Sequence, residues 1–183
     1  MANRHEIRLS GYGGQGIILA GYIIGQAVSI FDGKNATFIQ DYGPEARGGA
    51  CRADVVISDE PVLYPYIIAP SVLIAMSQEA YNKYYTKNRH DALVIVDEDL
   101  VKPGETSSGE LLTIPATRIA EELGRVMVAN VVMLGFFIAV TGIVSIDAMR
   151  KSVLASVPKS TEELNMKAIE RGYAYGLEKL GLV

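Results

Sequence analysis

From Val126 to Ile146 the chain reads VMVANVVMLGFFIAVTGIVSI, a run without a formal charge. A stretch this long and apolar has two physical homes. One is a bilayer, whose hydrocarbon core takes about 20 apolar helical residues; the other is a protein interior that covers the helix on every side. Asn130, Thr141 and Ser145 are polar, Gly135 and Gly142 weaken a lone helix, and no second such run or aromatic belt accompanies it. The run therefore predicts a buried helix. In a chain of 183 residues, a helix apolar all round predicts further that a partner covers part of it.

The rest of the chain supplies what such a helix packs against. HEIRLSG reads as a strand, residues 14 to about 31 as a helix running into Asp32-Gly33, NATFIQDYG as a second strand and CRADVVIS as a third. SVLIAMS (71–77) and DALVIVDED (91–99) are short apolar runs of the kind buried on both faces of a sheet, with the helical EAYNKYYTK between them. Residues 100–110 form a turn-rich loop, LLTIPAT resumes a strand, and ATRIAEELG closes a helix on Gly124. Ser145 is placed to cap the helix after the apolar run, and a Ser/Thr-x-x-Glu signal at residue 160 opens the last one. Strands alternate with helices in the first two thirds and the end is all helix. The pattern predicts an α/β, Rossmann-like fold, one domain over 1–183: a mostly parallel sheet, helices on both faces, and a helical C-terminal extension.

Composition removes several function classes. A net charge of −4, a pI near 5.2 and the lack of a Lys/Arg-rich run argue against nucleic acid as a partner. One cysteine, Cys51, is too few for an intrachain disulfide, a Cys-rich zinc site or the thiolates of an iron–sulfur cluster. The two histidines, His5 and His90, stand in polar, charged surroundings that predict solvation rather than catalysis. The N-terminus enters a strand pattern within a few residues, without a cationic-then-apolar leader, so a cytoplasmic protein with no membrane association is expected.

Two loops carry chemistry. Gly11-Tyr12-Gly13-Gly14-Gln15-Gly16 fits G-x-G-x-x-G between the first strand and the first helix, where free N–H groups and the positive end of the helix dipole favour a phosphate. A dinucleotide site also needs an acid at the end of the second strand, and Asp41 is late but usable. NAD or FAD, another phosphate-bearing ligand, and simple tight packing all remain open on these letters. The second loop, DYGPEARGGACRAD, combines Tyr42, Gly43, a stiffening Pro44, Glu45, Arg47, the pair Gly48-Gly49 and Arg52. It follows the second strand, on the edge where parallel sheets bind ligands, and Arg47 suits two-pronged recognition of a phosphate or carboxylate. A surface Glu45–Arg47 ion pair is the plainer reading. Ser77 and Gln78 fall on the same edge; Tyr81, Tyr84 and Tyr85 read as packing; Asp97, Glu98 and Asp99 read as a solvated acidic strand end; Asn130, if buried, needs a partner as a helix cap or subunit contact.

GYGGQGIILAG (11–21), YGPEARGGACRADVVIS (42–58) and LNMKAIERGYAYG (164–176) together resemble the gamma subunit of the 2-oxoacid:ferredoxin oxidoreductases, and YGPEARGG is most similar to the 2-oxoglutarate branch. The resemblance implies a gamma-type catalytic domain, Rossmann-like and associated with coenzyme A as co-substrate, that holds no complete active site. Thiamine diphosphate with magnesium is then carried by alpha and beta partners, iron–sulfur clusters lie on other chains, a delta subunit completes some assemblies, and ferredoxin accepts the electrons. The chain indeed lacks the Gly-Asp-Gly and distant Asn-Asn of a thiamine-diphosphate site. Under this resemblance the cofactor-binding candidates are Gly11, Gly13, Gly14, Gln15 and Gly16, with Tyr42, Gly43, Pro44, Glu45, Arg47, Gly48 and Gly49. No catalytic or metal-binding residue is assigned. The alternative is a free-standing NAD- or flavin-dependent oxidoreductase.

Overall fold

The computed structural model describes residues 4–42, 49–85, 91–104 and 109–182. Strands β1 (Arg4–Tyr12), β2 (Asn35–Asp41), β3 (Ala50–Ser58), β4 (Val72–Ala75), β5 (Leu93–Asp97) and β6 (Glu110–Ile114) form one sheet in the order β2-β3-β1-β4-β5-β6. β1, β4, β5 and β6 are parallel neighbours, whereas β3 runs antiparallel between β1 and β2. The sheet is therefore mostly parallel, and the ends of β1, β2, β4, β5 and β6 share one edge with the start of β3.

Alternation along the strands divides the sheet's two faces. Ile7, Leu9, Ala53, Val55, Ile57, Ile74, Ile95 and Ile114 face the larger core, shared with α1 (Ile17–Gln26), α3 (Ala116–Glu122), α4 (Ala129–Thr141), α5 (Ile146–Ser156) and α6 (Glu162–Lys179). Leu73, Ala75, Val94 and Val96 face a smaller cluster with α2 (Gln78–Tyr84). Helices do cover both faces, but one face holds five and the other, among the described residues, only α2. The smaller face also carries a buried ion pair. Arg8 and Asp54 are directly opposed across β1 and β3, and the guanidinium donates from Nε and Nη2 to the two carboxylate oxygens, both at 2.8 Å, beneath the Tyr84 ring.

The apolar run is α4, preceded by a 3₁₀ turn at Val126–Val128, and every residue from Ala129 to Ile138 is buried. It is enclosed by α1, α3, α5 and α6 of its own chain. Ala129–Ile138 therefore needs no partner to bury it, while Val126 and Met127, which the expected part-covering partner would also reach, stay exposed. The reason lies in the C-terminal helix: Gly172 and Gly176 of α6 let its backbone approach α4 at Val132 and Phe136, and Gly135 receives α6 in return at Ile169. No described helix is long and apolar enough to cross a membrane.

The helix ends show local physics at work. α1 starts three residues later than expected and continues as a π-helical stretch, Ala27–Phe31, before Gly33 turns the chain with φ 66°. Ser145 caps α5 as expected, its hydroxyl accepting from the Ala148 N–H at 3.2 Å. The capping signal before α6 is not realised. Thr161 donates its hydroxyl to the Pro158 carbonyl instead, and no side chain caps that helix.

Candidate functional site

The glycine loop sits where β1 leaves the sheet. Gly14 and Gly16 adopt positive φ, 101° and 71°, and Gly16 begins α1 with no side chain capping it. Gln15 staples the loop down: its Oε1 accepts from the Tyr12 N–H at 3.0 Å and its Nε2 donates to the Met76 carbonyl, just past β4, at 2.6 Å. The space a side chain would need at Gly11 is filled by Gln15 and Ile17, and that at Gly16 by Asn130. Asn130, 4% exposed at the start of α4, donates Nδ2 to the Gly16 carbonyl at 3.1 Å and accepts from the Val131 N–H at 2.9 Å. It is an internal tie between α4 and the loop. Nothing lies within 4 Å of where a Gly14 side chain would begin.

Two hollows meet at Gly14. One, of about 280 Å³, is lined by Tyr12, Gln15, Met76, Thr117, Val126 and Met127. The other, of about 230 Å³, lies between Leu19, Arg125, Val128, Asn130, Thr161 and Asn165. Met127, 79% exposed, borders both. Each is smaller than the ~300–1,000 Å³ of a typical small-molecule site. Either hollow has room for only part of a ligand of coenzyme size. The open backbone at Gly14, beside an uncapped helix start and Arg125, suits a phosphate-bearing group. Sequence reasoning missed Thr117, Arg125, Val126 and Met127. Thr117 was within reach of the strand-edge rule, because it follows β6; Val126 and Met127 read only as the beginning of an apolar helix.

The second loop leaves and returns on the same edge: β2 ends opposite Arg52, and Ala50 pairs with Tyr12. Tyr42 is exposed and donates its hydroxyl to Gln40 at 3.4 Å, while Gly49 is buried at the start of β3. Gly43, Pro44, Glu45, Arg47 and Gly48 lie outside the described residues. Asp41 faces Arg52 at 3.4 Å. Its strand is separated from β1 by β3, so the acid stands two strands from the glycine loop rather than one, and the dinucleotide reading loses its ribose contact.

The remaining candidates are structural. Ser77 caps α2, accepting from the Ala80 N–H at 3.2 Å, and Gln78 Oε1 accepts from the Lys102 N–H at 2.7 Å. Tyr81 and Tyr84 are buried and Tyr81 stacks on Tyr85. Asp97 is fully buried; it accepts from the Thr117 N–H at 2.9 Å, the Thr117 hydroxyl at 2.6 Å and the Asp99 N–H at 3.1 Å. Burial holds its carboxyl above the usual range despite these donors. Glu98 and Asp99 both pair with Arg118. Cys51 is buried opposite Gly11, and burial pushes its thiol up. Burial, with Lys34 nearby, lowers the His5 imidazole below its ordinary value, and His90 lies outside the described residues. Among the described residues no group of three or more His, Cys, Asp or Glu side chains is placed to hold a metal ion.

Residues 6–175 match the pyruvate ferredoxin/flavodoxin oxidoreductase family. This chain belongs to that family. It is 51% identical to the 2-oxoglutarate synthase subunit KorC of Methanocaldococcus jannaschii, over 96% of this chain and 95% of that one. Its fold matches the gamma subunit of a keto/oxoacid ferredoxin oxidoreductase from Geobacter sulfurreducens with a TM-score of 0.88, at 42% identity over 96% of this chain and 98% of that one. A third likeness is of fold alone. The 2-oxoglutarate:ferredoxin oxidoreductase of Magnetococcus marinus, solved with 2-oxoglutarate, coenzyme A and succinyl-CoA bound, matches with a TM-score of 0.87 at 22% identity, over 96% of this chain but 31% of that one. Family membership of this kind leaves the free-standing NAD or flavin enzyme without support, in line with the displaced Asp41.

Proposed function

We propose that the chain is the gamma subunit of a cytoplasmic 2-oxoacid:ferredoxin oxidoreductase that converts 2-oxoglutarate to succinyl-CoA. The end-to-end likeness to a 2-oxoglutarate synthase subunit carries this reading. Its partners are then alpha and beta subunits, in some assemblies delta, with ferredoxin as acceptor. Bound on those partners, thiamine diphosphate with magnesium supplies the decarboxylation chemistry and iron–sulfur clusters carry the electrons onward.

The share of this chain is binding and placement. The N–H groups of Gly13, Gly14 and Gly16 receive the phosphates of coenzyme A, since the backbone is open at Gly14, while the Gln15 N–H turns back to the Tyr12 carbonyl at 3.3 Å and shapes the loop. Gln15 and Asn130 hold that backbone in shape from both ends. By this reading Arg47 adds charge for the phosphates, and Tyr42, Gly43, Pro44, Glu45, Gly48 and Gly49 remain the other binding candidates. Met127 and its neighbours offer apolar surface to the rest of the ligand.

The test uses the assembled enzyme. Wild type is expected to turn over 2-oxoglutarate in preference to pyruvate, with coenzyme A and ferredoxin. Arg47→Ala and Gly14→Val are each expected to raise the KM for coenzyme A by about tenfold or more, the value of a charge-assisted hydrogen bond to phosphate. An unchanged KM in both variants would make the two loops subunit interface instead, and preference for another 2-oxoacid would reassign the substrate.

A further inference from the structure

Of the two hollows that meet at Gly14, the one between the starts of α1, α4 and α6 is bordered by a polar group that the fold leaves partly unused. Asn165, in the first turn of α6, is 7% exposed and lines this hollow. Its Nδ2 donates to the Thr161 carbonyl at 2.9 Å, which fixes the orientation of the amide. Among the described residues nothing donates to its Oδ1, and its second Nδ2 hydrogen meets no acceptor. Asn130, on the opposite wall, has by contrast spent both ends of its amide, on the Gly16 carbonyl and the Val131 N–H. A buried amide with an idle acceptor and an idle donor is the group a ligand satisfies.

That acceptor and donor lie side by side, which matches the edge of adenine: its amino group donates and the neighbouring ring nitrogen accepts, the pairing by which asparagine reads this base. The rest of the hollow suits a flat ring. Leu19, Val157, Pro158 and Leu164 are apolar, and about 230 Å³ takes a base but not a whole coenzyme. Charge sets the orientation. Glu162 and Glu163, in the first turn of α6, disfavour a phosphate at the Asn165 end. At the other end stand the open Gly14 backbone and Arg125. Arg4, Arg8, Arg52, Arg118, Arg150 and Arg171 each pair with a carboxylate, whereas Arg125 has no such partner among the described residues. Its backbone is nonetheless fixed, the N–H donating to the Ala120 carbonyl at 3.1 Å and the carbonyl accepting from the Val128 N–H at 3.2 Å.

We infer that this hollow is the adenine subsite for coenzyme A, with Asn165 reading the base and Arg125 holding the ribose phosphate that dephospho-coenzyme A lacks. The inference rests on the functional reading above and deepens it by giving each end of the ligand a place. The second hollow, with no charged residue in its lining, is left for the uncharged pantetheine arm. Asn165 makes the subsite selective. Hypoxanthine carries an oxygen where adenine has its amino group and a ring N–H where adenine has an acceptor, so it sets like against like at both free positions of the amide.

The experiment measures inhibition of the assembled enzyme, against coenzyme A, by ADP and by IDP, which differ only at that edge of the base. In wild type ADP is expected to compete with coenzyme A and IDP to bind at least about tenfold more weakly, because buried hydrogen-bonding groups reject a mismatched analogue. Asn165→Leu, close in volume, is expected to weaken ADP to the level of IDP while changing IDP little. Arg125→Ala is expected to raise the KM for coenzyme A about tenfold and to leave that for dephospho-coenzyme A unchanged. Equal inhibition by ADP and IDP in wild type overturns the adenine subsite without calling on any variant to fold. So does an Asn165→Leu enzyme that keeps the preference, or that loses both nucleotides alike as removal of a merely structural asparagine would cause. An Arg125→Ala enzyme with no loss, or with the same loss on both coenzymes, overturns the placement of the ribose phosphate. A wild type that makes no succinyl-CoA overturns the functional reading instead. Calorimetry of ADP and IDP on that same enzyme then judges the subsite, preference for ADP sustaining it and equal or absent binding overturning it.

Discussion

Gly16 is held in the left-handed region at φ 71° while Asn130 occupies the space beside it. An alanine there meets two costs: about 1–2 kcal/mol for the conformation, and the loss of the Asn130 bond to the Gly16 carbonyl, about 1 kcal/mol. Gly16→Ala is expected to lose about 2–3 kcal/mol in urea unfolding. The two costs separate in a double-mutant cycle, because Asn130→Ala empties the space and leaves only the conformational part. The fingerprint letters were legible in sequence, but their meaning was not. Gly11 and Gly16 are small to admit Gln15 and Asn130, and Asn130 is 114 positions away from its partner. Gly14 keeps the open backbone that the motif advertises.

Asp97 shows how one residue joins elements. It ends β5, and by accepting from the Thr117 N–H it satisfies the start of α3, whose own N-cap, Pro115, has no side chain able to do so. Sequence placed Asp97 among solvated acids because charges that end strands are mostly exposed; the register of β5 against β6 brings α3 over it. Burial raises its folded pKa above the ordinary value of 3.8, so the folded state binds a proton more readily than the unfolded state. The stabilising effect of that proton is complete below pH 3.8 and is lost as pH rises through the folded pKa. Asp97→Asn removes this titration. The stability of wild type relative to Asp97→Asn is expected to fall with rising pH across that window and to level off above it, measured by urea unfolding at a series of pH values.

At the scale of the whole molecule, the two faces of the sheet have different tasks. The heavy face builds the core, and its central element, α4, depends on close backbone contact with α6. A side chain at Gly172 would overlap the Val132 carbonyl and crowd the Phe136 amide, both rigid backbone. Gly172→Ala is expected to destabilise the fold by about 1–3 kcal/mol or more, as overpacking does, and to make α4 amides exchange faster along its length; thermal melting and hydrogen exchange read the two effects. The light face carries α2 and the buried Arg8–Asp54 pair.

Local order was determined by sequence alone. Short apolar runs and the turn residues between them marked where the strands and helices lie, Ser145 marked the start of α5, and three separated stretches carried the resemblance to the family. Such signals arise from interactions between residues a few positions apart. Tertiary structure decided what depends on distant pairs: β3 lying antiparallel between β1 and β2, which moves Asp41 away from the glycine loop; α6 folding back to enclose α4, which the apolar run predicted as buried without saying against what; and Asn130 reaching Gly16. These are choices among packings that the same local patterns permit, and the burial of one specific apolar surface against another selects between them.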